Sequence, residues 1–152
     1  MDRTFFVTSI THQPQTLFRG ETTARLLIDT ILHYRAQDNY LLHDFVIMPD
    51  HFYVLLTPAE NLSLERVVQF IKGGFSFRLH ASCPVWQAGF TNHRIRDEED
   101  VLQHRGYIWM NPVRKGLART PDAYPQSFTA GRFQLDPTPG LKLLYEEHPT
   151  PA

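Results

Sequence analysis

Two apolar runs, Tyr40 to Met48 and His51 to Thr57, are separated by nothing but Pro49-Asp50. Each has the length of a strand and is rich in β-branched and aromatic residues, and so short a proline-containing link leaves room only for a reversal. The pair predicts a β-hairpin. Upstream, Thr4 to Thr11 reads as a strand. After Pro14 and Gly20, the positions Ala24, Leu27, Ile28, Ile31 and Leu32 predict a helix over 21–37, ended by Asp38-Asn39. Downstream, Ser63 caps a helix whose apolar face is Leu64, Val67, Val68, Ile71 and Phe75, with Gly73-Gly74 expected to weaken its last turns. A loop holding Cys83-Pro84 leads to a short strand, Phe90 to Arg96. Asp97 then caps a third helix, with Glu98, Glu99 and Asp100 at its positive dipole end. Pro112 is expected to stop this helix at or just before Asn111.

The order is β-α-β-β-α-β-α, and its first six elements match the α+β, ferredoxin-like split βαβ arrangement: an antiparallel sheet with two helices on one face. The third helix is extra. We expect one domain over 1–128 and a proline-rich tail over 129–152, where Pro137, Pro139 and Pro149 follow Pro121 and Pro125. With 42% apolar and 20% charged residues in 152, the composition excludes a disordered chain, and no run approaches the ~18 apolar residues of a membrane span. The start, Met1-Asp2-Arg3-Thr4, lacks the pattern of a secretory signal, and the only cysteine, Cys83, fits a reducing compartment. A cytoplasmic location is expected. A lone cysteine is expected to be buried.

The net charge of −1 hides an asymmetry. Positions 66–119 hold nine basic residues against four acidic ones, a local +5, and the remainder carries −6. A basic middle third suits phosphate groups, although solvated helix faces give the same count.

Strand alternation puts His51, Tyr53 and Leu55 on one face of the hairpin and Phe52, Val54 and Leu56 on the other. The second set is core, while His51 and Tyr53 lie ~7 Å apart on a face that the two helices do not cover. At 100° per residue, Asp100, Gln103, Tyr107 and Asn111 form a polar stripe on the third helix, opposite Val101, Leu102, Ile108 and Trp109. Tyr107 and Asn111 stand one turn apart and can serve one point. A hydrogen-bonded structural pair and an amphipathic helix with an interfacial tyrosine are the plainer readings. Gly106 suggests a close backbone approach, and Arg105, in the apolar sector, is expected to reach out past the core edge. His93 is a spare ligand, a phosphate donor or a sheet hydrogen-bonding group. His12, His33, His43, His80, His104 and His148 have no ligand-like spacing and read as surface or capping residues.

Met48-Pro49-Asp50-His51-Phe52-Tyr53-Val54-Leu55-Leu56 resembles the strand motif of HUH single-tyrosine transposases, in which two histidines flank a hydrophobe. Val85-Trp86-Gln87, Phe90, His93 to Asp100 and Tyr107-Ile108-Trp109-Met110-Asn111-Pro112-Val113-Arg114-Lys115-Gly116-Leu117 are similar, in order and spacing, to the REP-associated branch of these IS200-like enzymes. The resemblance spans roughly positions 4–128. It implies Tyr107 as nucleophile, with His51 and Asn111 holding a divalent metal, Mn2+ or Mg2+. Tyr53 stands where the second histidine belongs, and a phenol is a poorer ligand than imidazole. The implied reaction is metal-dependent cleavage and strand transfer of single-stranded or REP-like hairpin DNA through a 5′-phosphotyrosine. Lys72, Arg78, His93, Arg94, Arg96, Arg114 and Lys115 are the expected DNA contacts, in a monomer or homodimer. The alternative is a non-catalytic binder of single-stranded or hairpin DNA whose metal site has decayed at Tyr53.

Overall fold

The computed structural model describes residues 3–127 and 135–139. Its elements follow the expected order: β1 (Phe5–Ile10), α1 (Glu21–Ala36), β2 (Tyr40–Met48), β3 (His51–Pro58), α2 (Leu64–Arg78), β4 (Thr91–Arg94) and α3 (Glu98–Arg114). The strands pair antiparallel in the order β2-β3-β1-β4, the split βαβ topology of the ferredoxin-like fold. Among the described residues, no helix is long and apolar enough to cross a membrane.

Alternation along β3 divides the molecule into two layers. Phe52, Val54 and Leu56 join Leu27, Ile31, Val67, Ile71 and Phe75 in the core beneath α1 and α2. On the other face, Leu55, Val46 and Met48 meet Val101 and Ile108 of α3, together with Ile95 and Tyr124. The third helix is therefore the cover of the face that the hairpin left open, and register sets what it covers: Tyr53 lies opposite Thr8 and Val46, and Phe6 opposite Leu55 and His93.

All three helices end alike. The residue after each C-cap turns left-handed, Asp38 at φ 61°, His80 at 55° and Gly116 at 72°, and two crossed hydrogen bonds close the last turn. In α3 these run from Gly116 N–H to the Val113 carbonyl and from Leu117 N–H to that of Pro112. The expected stop before Pro112 is thus corrected: α3 continues through Pro112 to Arg114. A proline removes only one ladder bond, and the buried ring and the closing motif hold the final turn around it. The helix α2 likewise runs intact through Gly73 and Gly74. A Cβ at Gly74 would stand 2.6 Å from the Tyr34 ring, which stacks on Phe70 at 5.4 Å, so the absent side chain is what lets α1 approach. The strand expected over Phe90–Arg96 forms only over Thr91–Arg94.

A β-bulge at His43 shifts the register of β2 between Leu42 and Asp44. Leu42 faces the α1/α2 core, and after the bulge Phe45 and Ile47 return to that face while Val46 and Met48 point to α3. The outer edge of β2 is occupied. Ile47 N–H donates to the Gln126 carbonyl, and Asp136 N–H to that of Leu42, whose own N–H donates to the Asp136 carboxylate. Arg35 grips that carboxylate with two bonds of 3.0 and 2.9 Å. Of the expected tail, only Leu135–Pro139 lies within the described residues, and Leu135 is buried there.

Candidate active site

The face between β3 and α3 brings Tyr53, Tyr107 and Asn111 together. The hydroxyls of Tyr53 and Tyr107 lie 3.3 Å apart, with the rings edge to face at 5.4 Å. Phe6 of β1 supports both, stacked on Tyr53 at 5.3 Å and edge-on to Tyr107 at 6.0 Å. Tyr107 is 40% exposed, so its hydroxyl is reachable from solvent, and the Arg114 guanidinium sits over its ring at 5.8 Å. Burial, then the hydrogen bond and field of Tyr107 and the field of Asp50, push the Tyr53 phenol up, against a hydrogen bond with Asn111 that pulls it down. Tyr53 keeps its proton throughout the physiological range.

His51 opens β3, its ring 5.0 Å from that of Tyr53. Its Nδ1 lies 2.6 Å from the Asp50 carboxylate, an arrangement that leaves Nε2 as the nitrogen for a ligand. Asn111 is 2% exposed, yet its Oδ1 has no hydrogen-bond partner among the described residues. Buried carbonyl oxygens are rarely left so. An oriented imidazole against the Tyr53 ring and an orphaned amide oxygen on a residue that hydrogen-bonds Tyr53 fit a hard or borderline divalent cation; the phenol of Tyr53 adds at most a weak third donor.

The remaining expected contacts fall into two groups. His93, Arg96 and Arg114 belong to the α3 side: His93 shares the face of Phe6, and Arg114 covers Tyr107. Arg94 alternates to the opposite face, and Lys115 caps the exposed end of α3. Lys72 and Arg78 lie on α2 in the other layer. The Lys72 ammonium donates to the carbonyls of Gln87 and Gly89, at 3.1 and 2.7 Å, and tethers that loop.

Several expectations need correction. Arg105 does not reach past the core edge: it is 9% exposed, with Nε 3.2 Å from a fully buried Asp44 and its guanidinium 4.8 Å from the Trp109 ring. The bulge at His43 is the cause, because it turns Asp44 toward α3, and helical periodicity carries no trace of it. Leu102, assigned to the apolar sector, is instead 49% exposed. His43 is fully buried rather than at the surface, bonded to the Asp136 carbonyl and to Thr57, both at 2.8 Å. Cys83 is exposed, in the loop beyond α2, ahead of the Val85 and Trp86 that anchor that loop to the core. Gly106 meets no close neighbour, since a Cβ there would stand in open space. His104, dismissed on spacing, joins His93 around Asp100, with ligand-type atoms within 4.8 Å of one another. The i, i+4 spacing of Asp100 and His104 was the available signal; His93 enters only through strand register.

Known proteins resemble this chain in sequence and in fold. The family described as Transposase IS200 like matches residues 5–109. A Haemophilus influenzae relative named for the REP-associated tyrosine transposases is 30% identical over 95 residues, 53% of this chain and 54% of that one. The REP-associated tyrosine transposase of Escherichia coli K12 is 26% identical over 121 residues, 79% of this chain and 70% of that one. The chain thus spans about half the length of the first relative and more of the second. Among solved structures, a REP-associated tyrosine transposase bound to a REP hairpin superposes with a TM-score of 0.74 at 23% identity, over 90% of this chain and 86% of that one. By fold, order of motifs and a match over most of its length, the chain belongs to the IS200-like transposase family.

Proposed function

We propose that this transposase is a divalent-metal-dependent single-stranded DNA endonuclease and strand transferase that acts on hairpin DNA through a 5′-phosphotyrosine on Tyr107. The observation that carries the reading is the exposed Tyr107 hydroxyl, 3.3 Å from the half-buried Tyr53 phenol and one helical turn from an orphaned amide oxygen. The relative solved with a REP hairpin supports the substrate class.

In this reading Tyr107 gives up its phenolic proton to solvent as its oxygen attacks phosphorus, a P–O(Tyr107) bond forms, the P–O3′ bond breaks and the released 3′-oxygen takes a proton from solvent. Tyr53, which retains its own proton, donates to the Tyr107 oxygen and stabilises it as negative charge develops. Arg114 over the ring favours the same charge. His51, oriented by Asp50, and Asn111 through Oδ1 are the residues that hold Mn2+ or Mg2+. What such an ion supplies when bound is polarisation of the phosphate oxygens.

The test is incubation of the protein with single-stranded hairpin oligonucleotides and Mn2+, followed by a denaturing gel. Wild type forms a covalent protein–DNA adduct and Tyr107→Phe forms none, while binding the same DNA. An adduct in Tyr107→Phe refutes the assignment. The second reading, a binding protein without chemistry, is favoured by Tyr53 standing in place of an imidazole. It predicts no adduct from wild type at any Mn2+ concentration and a gain of adduct in Tyr53→His.

A further inference from the structure

One group of titratable side chains outside the Tyr107 site converges on a buried charge. Asp100, in the first turn of α3, is 3% exposed. Its Oδ2 accepts from His93 Nε2 at 2.8 Å and from the Arg96 backbone N–H at 2.9 Å, with Arg96 Nε 3.5 Å away. Its Oδ1 lies 3.0 Å from His104 Nδ1 but makes no aligned hydrogen bond, because that nitrogen is also 2.8 Å from the Asp100 carbonyl oxygen, one turn earlier. Burial works to raise the Asp100 carboxyl. The His93 bond, the Arg96 N–H and the fields of His93 and His104 outweigh it and hold the group ionised, below the usual carboxylate range.

An ionised carboxylate and a backbone carbonyl only accept, so His93 carries a proton on Nε2 and His104 on Nδ1. His93 Nδ1 and His104 Nε2 remain uncommitted, on rings stacked 4.5 Å apart at 14°. The side chains are 38% and 19% exposed. An imidazole nitrogen left in this way accepts when the ring is neutral and donates, with positive charge, when the ring is protonated. A cation fits poorly. Near-parallel rings whose inner N–H groups serve one aspartate do not aim two lone pairs at a common ion. The groups facing the pair are Asp100 and Arg96, one negative and one positive, Asp97, which caps Asp100 N–H, Phe6 from β1, 4.8 Å from the His104 ring, and Tyr107 one turn along α3.

Resting on the Tyr107 reading above, we propose that His93 and His104, clamped by Asp100 two turns before Tyr107, form a phosphodiester-binding subsite that engages the DNA backbone when an imidazole is protonated. It holds the strand beside the nucleophile and makes DNA binding pH-dependent on the same face as the chemistry.

The test uses the full chain and a fluorescent DNA hairpin with a single-stranded flank, in EDTA so that no strand is cut. Affinity of wild type is expected to rise about tenfold from about pH 8 to about pH 6, with the salt slope steeper by about one at the lower pH. The double variant His93→Gln, His104→Gln loses both effects; an unchanged pH dependence in it overturns the proposal. Imidazole NMR of wild type needs no variant to fold. Adding the hairpin at about pH 7 shifts the His93 and His104 signals toward their protonated positions. Signals that stay in place, or that move with Mn2+ alone, overturn the subsite. Adduct formation, scored separately, distinguishes the two readings: pH-independent binding with the adduct retained removes only this subsite, and pH-dependent binding without an adduct removes only the Tyr107 assignment.

Discussion

The two faces of the sheet are built on different terms. Beneath α1 and α2, Phe52, Val54, Leu56, Ile71 and Phe75 interlock with no charged side chain among them. Beneath α3 the apolar contacts are fewer and share the interface with Asp44–Arg105, Asp100 and Asn111, all buried, and with an amide oxygen that finds no partner. A buried polar atom without a hydrogen bond costs about 1–3 kcal/mol. One face therefore holds most of the apolar burial, and the other sets buried charged and amide groups among fewer apolar side chains, where they point at a common place.

Substitutions can break that division. Phe75→Ala, in the apolar layer, is expected to lower unfolding free energy by about 3–5 kcal/mol in urea titrations, with adduct formation per folded molecule unchanged. A fall in specific activity of the folded fraction contradicts the separation of the faces.

The effect next in size is one of pH. Burial outweighs the Asp136 carbonyl and carboxylate and lowers the His43 imidazole to about 4. The folded state resists its protonation, so His43 contributes stability that is present above about pH 6.5 and lost as pH falls toward 4, about 3 kcal/mol in all. Asp44 acts oppositely. Burial raises it to about 7, against Arg105, so its contribution is present below the usual carboxylate range and lost as pH rises toward 7. The two offset each other in wild type. In Asp44→Asn the His43 slope stands alone, and urea midpoints measured from about pH 7 to about pH 4 fall steeply; a flat profile in this variant refutes the assignment.

Asn111→Leu removes the orphaned oxygen while keeping much of the volume. Stability is expected to hold or rise by about 1 kcal/mol in thermal unfolding, and the adduct is lost. Loss of stability with the adduct retained reverses the roles given to the two faces. The smallest contrast uses one substitution twice. Gly106→Ala in α3 stabilises by up to about 1 kcal/mol, as its Cβ enters open space, whereas Gly74→Ala in α2 destabilises by about 1 kcal/mol by displacing Tyr34 from Phe70. Equal signs in parallel melts rule out the packing account.

Much of this was legible in the sequence because it depends on local periods. The hairpin, the two amphipathic helices and the facing of His51 and Tyr53 follow from alternation and the 3.6-residue repeat, and the Tyr107–Asn111 spacing follows from one turn of helix. What was not legible depends on register between distant segments. The bulge at His43 decides that Asp44 meets Arg105, and the pairing of His93 with Phe6 decides that His93 meets Asp100 and His104. Pro112 misled for a third reason: its local penalty was read correctly, but the bonds that close the helix beyond it come from residues later in the chain.

The contacts along the outer side of β2 bear on where this protein can be cut. A chain ended near residue 128, the boundary that composition suggests, would lose the Asp136 contacts of Arg35, Leu42 and His43. It would strip half the guard from a nine-residue strand and offer its backbone to other copies. Unpaired edges of that kind template aggregation. In the folded chain the short segment Leu135–Pro139 covers that part of the edge, through the contacts of Asp136 with Arg35, Leu42 and His43.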